Sequence, residues 1–166
     1  GLLKAGRRVR VLDNLSTGKK ENLKEVLDQI EWRRGDICRE SDVRKAIRGV
    51  RTVFHVAANR AVLRSVDNPL ETHEVNVTGT LRILLAARDE GVRRVVFSSS
   101  SSVYGDTKQF PSREESSLSP CSPYAASKAA GEYYCRLFFS LYGLETVSLR
   151  YFNVFGPRQN PESRYS

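Results

Sequence analysis

The sequence predicts an α/β fold: a doubly wound, Rossmann-like parallel sheet. Three observations lead there. Short β-rich runs alternate with helical ones along the chain, an order that implies parallel strands with helices over both faces. Several strands stop on polar residues, namely Asp13, Gly35-Asp36 and the serines 98–102, and ligands gather at such carboxyl ends in doubly wound sheets. The 166 residues suit one domain, since domains run from about 50 to 250 residues.

Each element has its own reason. Gly1 to Gly6 reads as the last turn of a helix, with Gly6 as a left-handed cap. Arg7 to Leu12 alternates and ends on Asp13, a strand followed by the loop 14–20. A short helix is expected at 21–27, a strand at 31–34 and a helix at 41–47. Thr52 to Val56 is β-branched and aromatic, as a buried strand should be. Pro69 opens a long helix that runs to Gly91, with Val75, Leu81, Leu84 and Leu85 on its apolar face. Val95 to Phe97 is the next strand, and residues 104–121 form a long Gly/Pro/Ser loop. Ser122-Pro123 starts a helix, because Ser caps and Pro suits the first helical position; Gly143 stops it. Residues 145–152 form the last strand, and Pro157 and Pro161 end regular structure.

Composition narrows the function classes. The chain is 40% hydrophobic and 28% charged, a soluble globular balance. Its longest apolar runs, 81–87 and 137–144, fall far short of the roughly 20 residues of a membrane span. Of the net charge of +8, most sits in residues 1–60, with 15 basic against 8 acidic residues. Those basic residues are scattered, and only Trp32 and Phe54 accompany them as aromatics, so a nucleic-acid surface is not expected. Cys38, Cys121 and Cys135 have no metal-type spacing and are odd in number, which fits free thiols in a reducing cytosol. No signal peptide leads the chain and no Met occurs in it; a fragment of a longer protein is therefore expected.

Tyr124 and Lys128 lie four apart on a helix and so share a face. A nearby ammonium stabilises phenolate, which lets a Tyr exchange a proton with a substrate hydroxyl near neutral pH. A Ser at the end of the preceding strand could donate to the same oxygen. Asp13 at a strand end can accept from ribose hydroxyls and would repel a 2′-phosphate, favouring NAD over NADP. Taken singly, these residues also fit a half-buried Tyr, a flexible serine loop and an ordinary Asp turn. His55 is expected to satisfy a local hydrogen bond and His73 to lie on a helix face; no metal site is expected. The Gly-rich turn that holds a pyrophosphate should precede the helix ending at Gly6, and the chain does not contain it.

The blocks Asp13-Asn-Leu-Ser-Thr-Gly18, Gly35-Asp36-Ile37, His55-Val-Ala-Ala58, Asn76-Val-Thr-Gly-Thr80, Ser98–Ser102 with Val103-Tyr-Gly-Asp106, Ser122-Pro-Tyr-Ala-Ala-Ser-Lys128 and Arg150-Tyr-Phe-Asn-Val-Phe-Gly-Pro157 follow one another in order. Together they resemble the nucleotide-sugar epimerase/dehydratase family of extended short-chain dehydrogenases/reductases. The resemblance implies Ser100, Tyr124 and Lys128 as catalytic residues. It implies cofactor contacts from Asp13, Asn14, Ser16, Thr17, Gly18, Asp36, Ile37, Ala57, Ala58, Arg60, Asn76, Tyr151 and Phe152, besides Tyr124 and Lys128. Substrate contacts would come from Ser100, Ser101, Tyr124 and Asn153. It further implies NAD as cofactor, a nucleotide sugar as substrate, a homodimer paired through the helices at 69–91 and 122–142, and a separate substrate domain that these residues do not include.

Dehydrating members of this family generally carry acids two and three residues before the Tyr of the Val-Tyr-Gly block. Here those places hold Ser102 and Ser101. The resemblance thus favours 4-epimerisation of a UDP-hexose or UDP-N-acetylhexosamine by transient oxidation at C4. The alternatives are dehydration or net reduction on the same fold, or a truncated chain that catalyses nothing by itself.

Overall fold

The computed structural model describes residues 1–107 and 111–159. Strands β1 (Val9–Asp13) and β2 (Ile30–Arg34) pair in parallel, Val9 opposite Ile30 through Asp13 opposite Arg34. Strands β3 (Thr52–His55), β4 (Arg94–Ser100) and β5 (Glu145–Tyr151) form a second parallel ladder with β4 in the middle. β1 and β3 do not pair with each other; both line a cleft of about 2920 Å³. Phe54 and Val56 are exposed, at 53% and 68%, where a buried strand was expected. Phe54 lies opposite Val96, and Val96 opposite Val147, so Phe54 stands on the face of the ladder that also leaves Val147 exposed.

Helix α1 (Glu40–Ile47) joins β2 to β3, and helix α5 (Pro123–Tyr142) joins β4 to β5. Between β3 and β4 run α2 (Val62–Asp67), α3 (Pro69–His73), a π-turn (Glu74–Thr78) and α4 (Gly79–Asp89). The long helix expected from Pro69 is thus present but interrupted by the π-turn, and α2 is an additional element. In place of the helix expected at 21–27 stand two 3-10 turns, Lys20–Leu23 and Leu27–Gln29. Their residues have no buried core to pack against, and helical stability comes mostly from such packing. Leu3–Ala5 forms a 3-10 turn capped by Gly6 at φ +68°.

One core unites α1, α4 and α5 with the sheet: Val43 and Ile47, Ile83, Leu84 and Ala87, Cys135 and Phe138 pack with Val95 and Phe97. Helices over both faces were expected; here the long ones share this core while Val147, Leu149 and Tyr151 on β5 stay exposed. Right-handed crossovers explain this. Where successive strands advance in one direction, as from β3 to β4 to β5, their connecting helices fall on the same side. The expected stop of regular structure at Pro161, and part of the loop 104–121, lie outside the described residues. No helix among the described residues is long and apolar enough to cross a membrane.

Candidate active site

The carboxyl ends of β1, β3 and β4 and the first turn of α5 open onto the same cleft. At the β1 end, Asp13 Oδ1 accepts the Leu15 N–H at 2.7 Å, which bends the chain through Leu15 at φ +60°. A Cβ on Gly18 would stand 3.2 Å from Asp13 Oδ2, so glycine keeps that carboxylate oxygen clear. Asn14 Nδ2 donates to Asp36 Oδ2 at 3.0 Å, and Asp36 Oδ1 accepts the Cys38 N–H at 2.8 Å. Burial opposes a charge on Asp36, but these hydrogen bonds hold its carboxyl below the usual range. Ser16, Thr17 and Ile37 line the same end, and Ala57, Ala58 and Arg60 follow β3 along the wall.

At the other end, β4 runs on through the serines as far as Ser100, because Ser98, Ser99 and Ser100 pair with Leu149, Arg150 and Tyr151. Ser100 Oγ accepts the Ser102 N–H at 3.2 Å and caps a 3-10 turn, Ser101–Tyr104. Ser100, Ser101, Tyr124 and Lys128 all line the cleft, as do Tyr151, Phe152 and Asn153. Lys128 is 4% exposed; its Nζ donates to Ser98 O at 2.9 Å and sits 5.8 Å from the centre of the Tyr124 ring. Burial pulls its ammonium down to about 8, so it still carries its proton at neutral pH. His55 Nε2 lies 2.8 Å from Thr80 Oγ1, and burial, then the Lys128 charge, pushes the imidazole down to about 3. It stays neutral and adds no second cation. His73 is exposed in α3.

A hydroxyl, a phenol and an ammonium thus face one cleft at the carboxyl end of a parallel ladder, an arrangement suited to moving a proton on and off a substrate hydroxyl. Among the described residues, no group of three or more His, Cys, Asp or Glu could hold a metal ion.

Asn76 stands apart from the cleft wall. It is 2% exposed on the π-turn, and its amide is spent on the Asn59 N–H (2.7 Å), the Asn59 carbonyl (3.0 Å) and Ser127 Oγ (3.0 Å). It shapes the loop after β3 from beneath. Three residues of the site's support were not read from the sequence. Glu132, 7% exposed, takes Arg150 through Nε at 3.0 Å and Nη2 at 2.9 Å, and also the hydroxyl of Ser99. Arg150 Nη1 continues to Tyr104 Oη at 3.1 Å and to the Glu114 carbonyl at 2.9 Å. Ser65 of α2, fully buried, accepts the Tyr124 N–H at 3.1 Å. None has a local signal, because the partners that tie each to the site lie on other elements.

The family model described as NAD dependent epimerase/dehydratase family matches residues 1–166. A UDP-glucose 4-epimerase of Mycolicibacterium smegmatis is 43% identical over 165 residues, covering 96% of this chain and 52% of the relative. The crystal structure of the UDP-glucose 4-epimerase of Thermus thermophilus in complex with NAD superposes with a TM-score of 0.92 at 42% identity, over 99% of this chain and 53% of that one. A double mutant of the dTDP-glucose 4,6-dehydratase DesIV from Streptomyces venezuelae, with NAD bound, gives 0.90 at 38% identity, over 95% and 50%. The chain spans about half the length of the relatives it matches.

Proposed function

The chain belongs to the NAD dependent epimerase/dehydratase family, and from that premise we propose that the protein carrying it interconverts the C4 epimers of a nucleotide sugar, a UDP-hexose or UDP-N-acetylhexosamine, with NAD as resident cofactor. The observation that carries the reading is the convergence of Ser100, Tyr124 and Lys128 on one cleft, with serines at 101 and 102, where dehydrating relatives are expected to carry acids.

The donor set suits NAD. Asp13 offers an unobstructed carboxylate oxygen beside Gly18, which matches a ribose diol, and Asp36 and Ile37 stand next to it for the adenine. Ala57, Ala58 and Arg60 would follow the dinucleotide along β3, and Tyr151 and Phe152 would close its far end. When bound, the cofactor supplies the acceptor and donor of the C4 hydride. Tyr124 Oη takes the proton from the C4 hydroxyl and later returns it. Ser100 Oγ holds the same oxygen, and the Lys128 ammonium favours the phenolate. Ser101 and Asn153 would meet the sugar nucleotide. The open edges of β1 and β3 would seat one more parallel strand, whose end would present a Gly-rich turn to the pyrophosphate.

The relative that is a dTDP-glucose 4,6-dehydratase supports dehydration as a second reading, separable by loss of water from the sugar. A homodimer is further supported by Tyr133, Leu137 and Leu141, which are exposed four residues apart along α5. The three free thiols suit the cytoplasm.

The test is Tyr124→Phe in the intact protein, assayed on UDP-galactose, UDP-glucose and their N-acetylated counterparts. Epimerisation should fall by about 10²–10⁴-fold, the usual contribution of an acid–base group, while NAD stays bound. Near-normal turnover would refute the mechanism.

A further inference from the structure

The geometry points to Ser65 as a positioning residue for Tyr124: its buried hydroxyl supplies, from another helix, the one cap that the Tyr124 amide lacks on its own. This inference rests on the reading of Tyr124 as the acid–base group.

The first residues of an α-helix have N–H groups without partners inside the helix, and each must be satisfied elsewhere. At the start of α5 every one can be traced. Pro123 has no N–H. The Ala126 N–H reaches the Ser122 carbonyl at 2.9 Å, the first bond of the helix itself. Ser122, the N-cap, takes one of the two remaining amides: its Oγ accepts from Ala125 at 3.1 Å. That leaves Tyr124. Its N–H is taken by Ser65 Oγ at 3.1 Å, across 59 residues of sequence.

Ser65 is built for that single task. It is fully buried, so water does not compete. Its only proton goes to the Val62 carbonyl at 2.5 Å, which orients the oxygen so that a lone pair is left for the amide. The Tyr124 carbonyl is held too, by Ser127 Oγ at 2.7 Å, and Ser127 Oγ in turn accepts from Asn76 at 3.0 Å. Both backbone groups of Tyr124 are thereby tied to hydroxyls, and both hydroxyls lead back to the segment between β3 and α4 that also shapes the cleft wall at Asn59. The phenol of Tyr124 can stay in place over the cleft only while this backbone stays in place. A displacement on the order of 1 Å at a reacting group can cost about 100-fold in rate.

The experiment compares Ser65→Ala, Ser65→Thr and Ser122→Ala in the intact protein. Ser122→Ala is the control, since it removes a cap of the same kind from the same helix but not from Tyr124. Ser65→Ala should lower kcat about tenfold while KM and NAD content change less than about twofold. Ser122→Ala should leave kcat within about twofold at a similar loss of Tm, and Ser65→Thr, which keeps the hydroxyl, should recover most of the activity. Equal losses of kcat in Ser65→Ala and Ser122→Ala, or no loss in Ser65→Ala, would overturn the proposal. Amide hydrogen exchange at Tyr124 gives a readout that needs no substrate. It should speed up by about tenfold in Ser65→Ala, the equivalent of about 1.4 kcal/mol, and not in Ser122→Ala; unchanged exchange would overturn the proposal. If the unaltered protein epimerises no nucleotide sugar, the functional reading fails, and the exchange measurement still decides whether Ser65 holds Tyr124.

Discussion

Replacing Gly131 by Ala sets two effects of opposite sign against each other, and the structure decides which prevails. Gly131 lies inside α5, where exchanging Gly for Ala ordinarily stabilises a helix by about 1 kcal/mol. Here a Cβ would collide with Cζ of Phe97 and lie 2.8 Å from its Cε1. That ring cannot withdraw: it is 1% exposed, its centre is 5.6 Å from the His55 ring, and Lys128 Nζ sits 5.1 Å from it. Forcing a methyl into a packed core costs about 1–3 kcal/mol, and a contact this short belongs at the upper end. The net effect is a destabilisation of about 2 kcal/mol. Urea unfolding of the intact protein should show a lower midpoint at unchanged m, and Tm should fall by about 4–8 °C for a domain of this size. A Gly131→Ala protein as stable as the parent, or more so, would mean that the Phe97 ring gives way freely, and that close contact does not hold α5 on β4.

Glu132→Ala should cost about 3–5 kcal/mol in a chemical denaturation series, because it strands the Arg150 guanidinium without its carboxylate; Glu132→Gln, which keeps an acceptor oxygen, should cost less. His55 imposes acid lability. Its folded value of about 3 lies below the unfolded one of about 6.5, so the unfolded state binds more protons between the two. The His55 contribution is complete above about pH 6.5 and is lost toward pH 3, by about 1.4 kcal/mol per pH unit. His55→Gln should flatten the stability profile of the intact protein in that window, and an unchanged slope would refute the assignment. Nucleotide extracted from the purified intact protein should be NAD, since Asp13 offers a carboxylate and no Arg follows it directly; recovery of mostly NADP would count against Asp13 as the ribose acceptor.

The features legible in the sequence are those whose causes are local. Ser122-Pro123 and Gly143 bracket α5 because capping chemistry acts within a few residues, and Gly6 takes its left-handed conformation for the same reason. Asp13, Gly18 and Asp36 converge because each terminates or follows a strand in neighbouring register. What escaped the sequence depends on distant partners. Ser98 to Ser100 have weak strand preference, yet they continue β4 because β5 pairs with them. The Thr52–Val56 run looks buried on both sides by composition, but Phe54 and Val56 border the open cleft. Nothing in residues 74–78 announces a π-turn, whose Asn76 is held by Asn59 and Ser127. Such turns often occur at functional sites, and this one underlies the cleft.

The packing of α5 and the geometry of its functional side chains have one cause. Three residues of the helix grip three consecutive residues of β4: Lys128 Nζ bonds the Ser98 carbonyl, Gly131 lies against the Phe97 ring, and Glu132 accepts from Ser99. Each contact alone would permit some sliding of helix over strand. The three differ in kind, one an ammonium–carbonyl bond, one a steric contact that admits no Cβ, and one a hydroxyl–carboxylate bond. A shift along the helix axis would break all of them together. Because Ser100 ends the same strand and Tyr124 begins the same helix, the register that buries Phe97 also sets the phenol relative to the serine hydroxyl. Ser65 then fixes the Tyr124 end of the helix from outside. The buried polar groups of α5 thereby resist displacement of the residues that face the cleft, and the exposed Tyr133, Leu137 and Leu141 take no part in that register and are free to meet another surface.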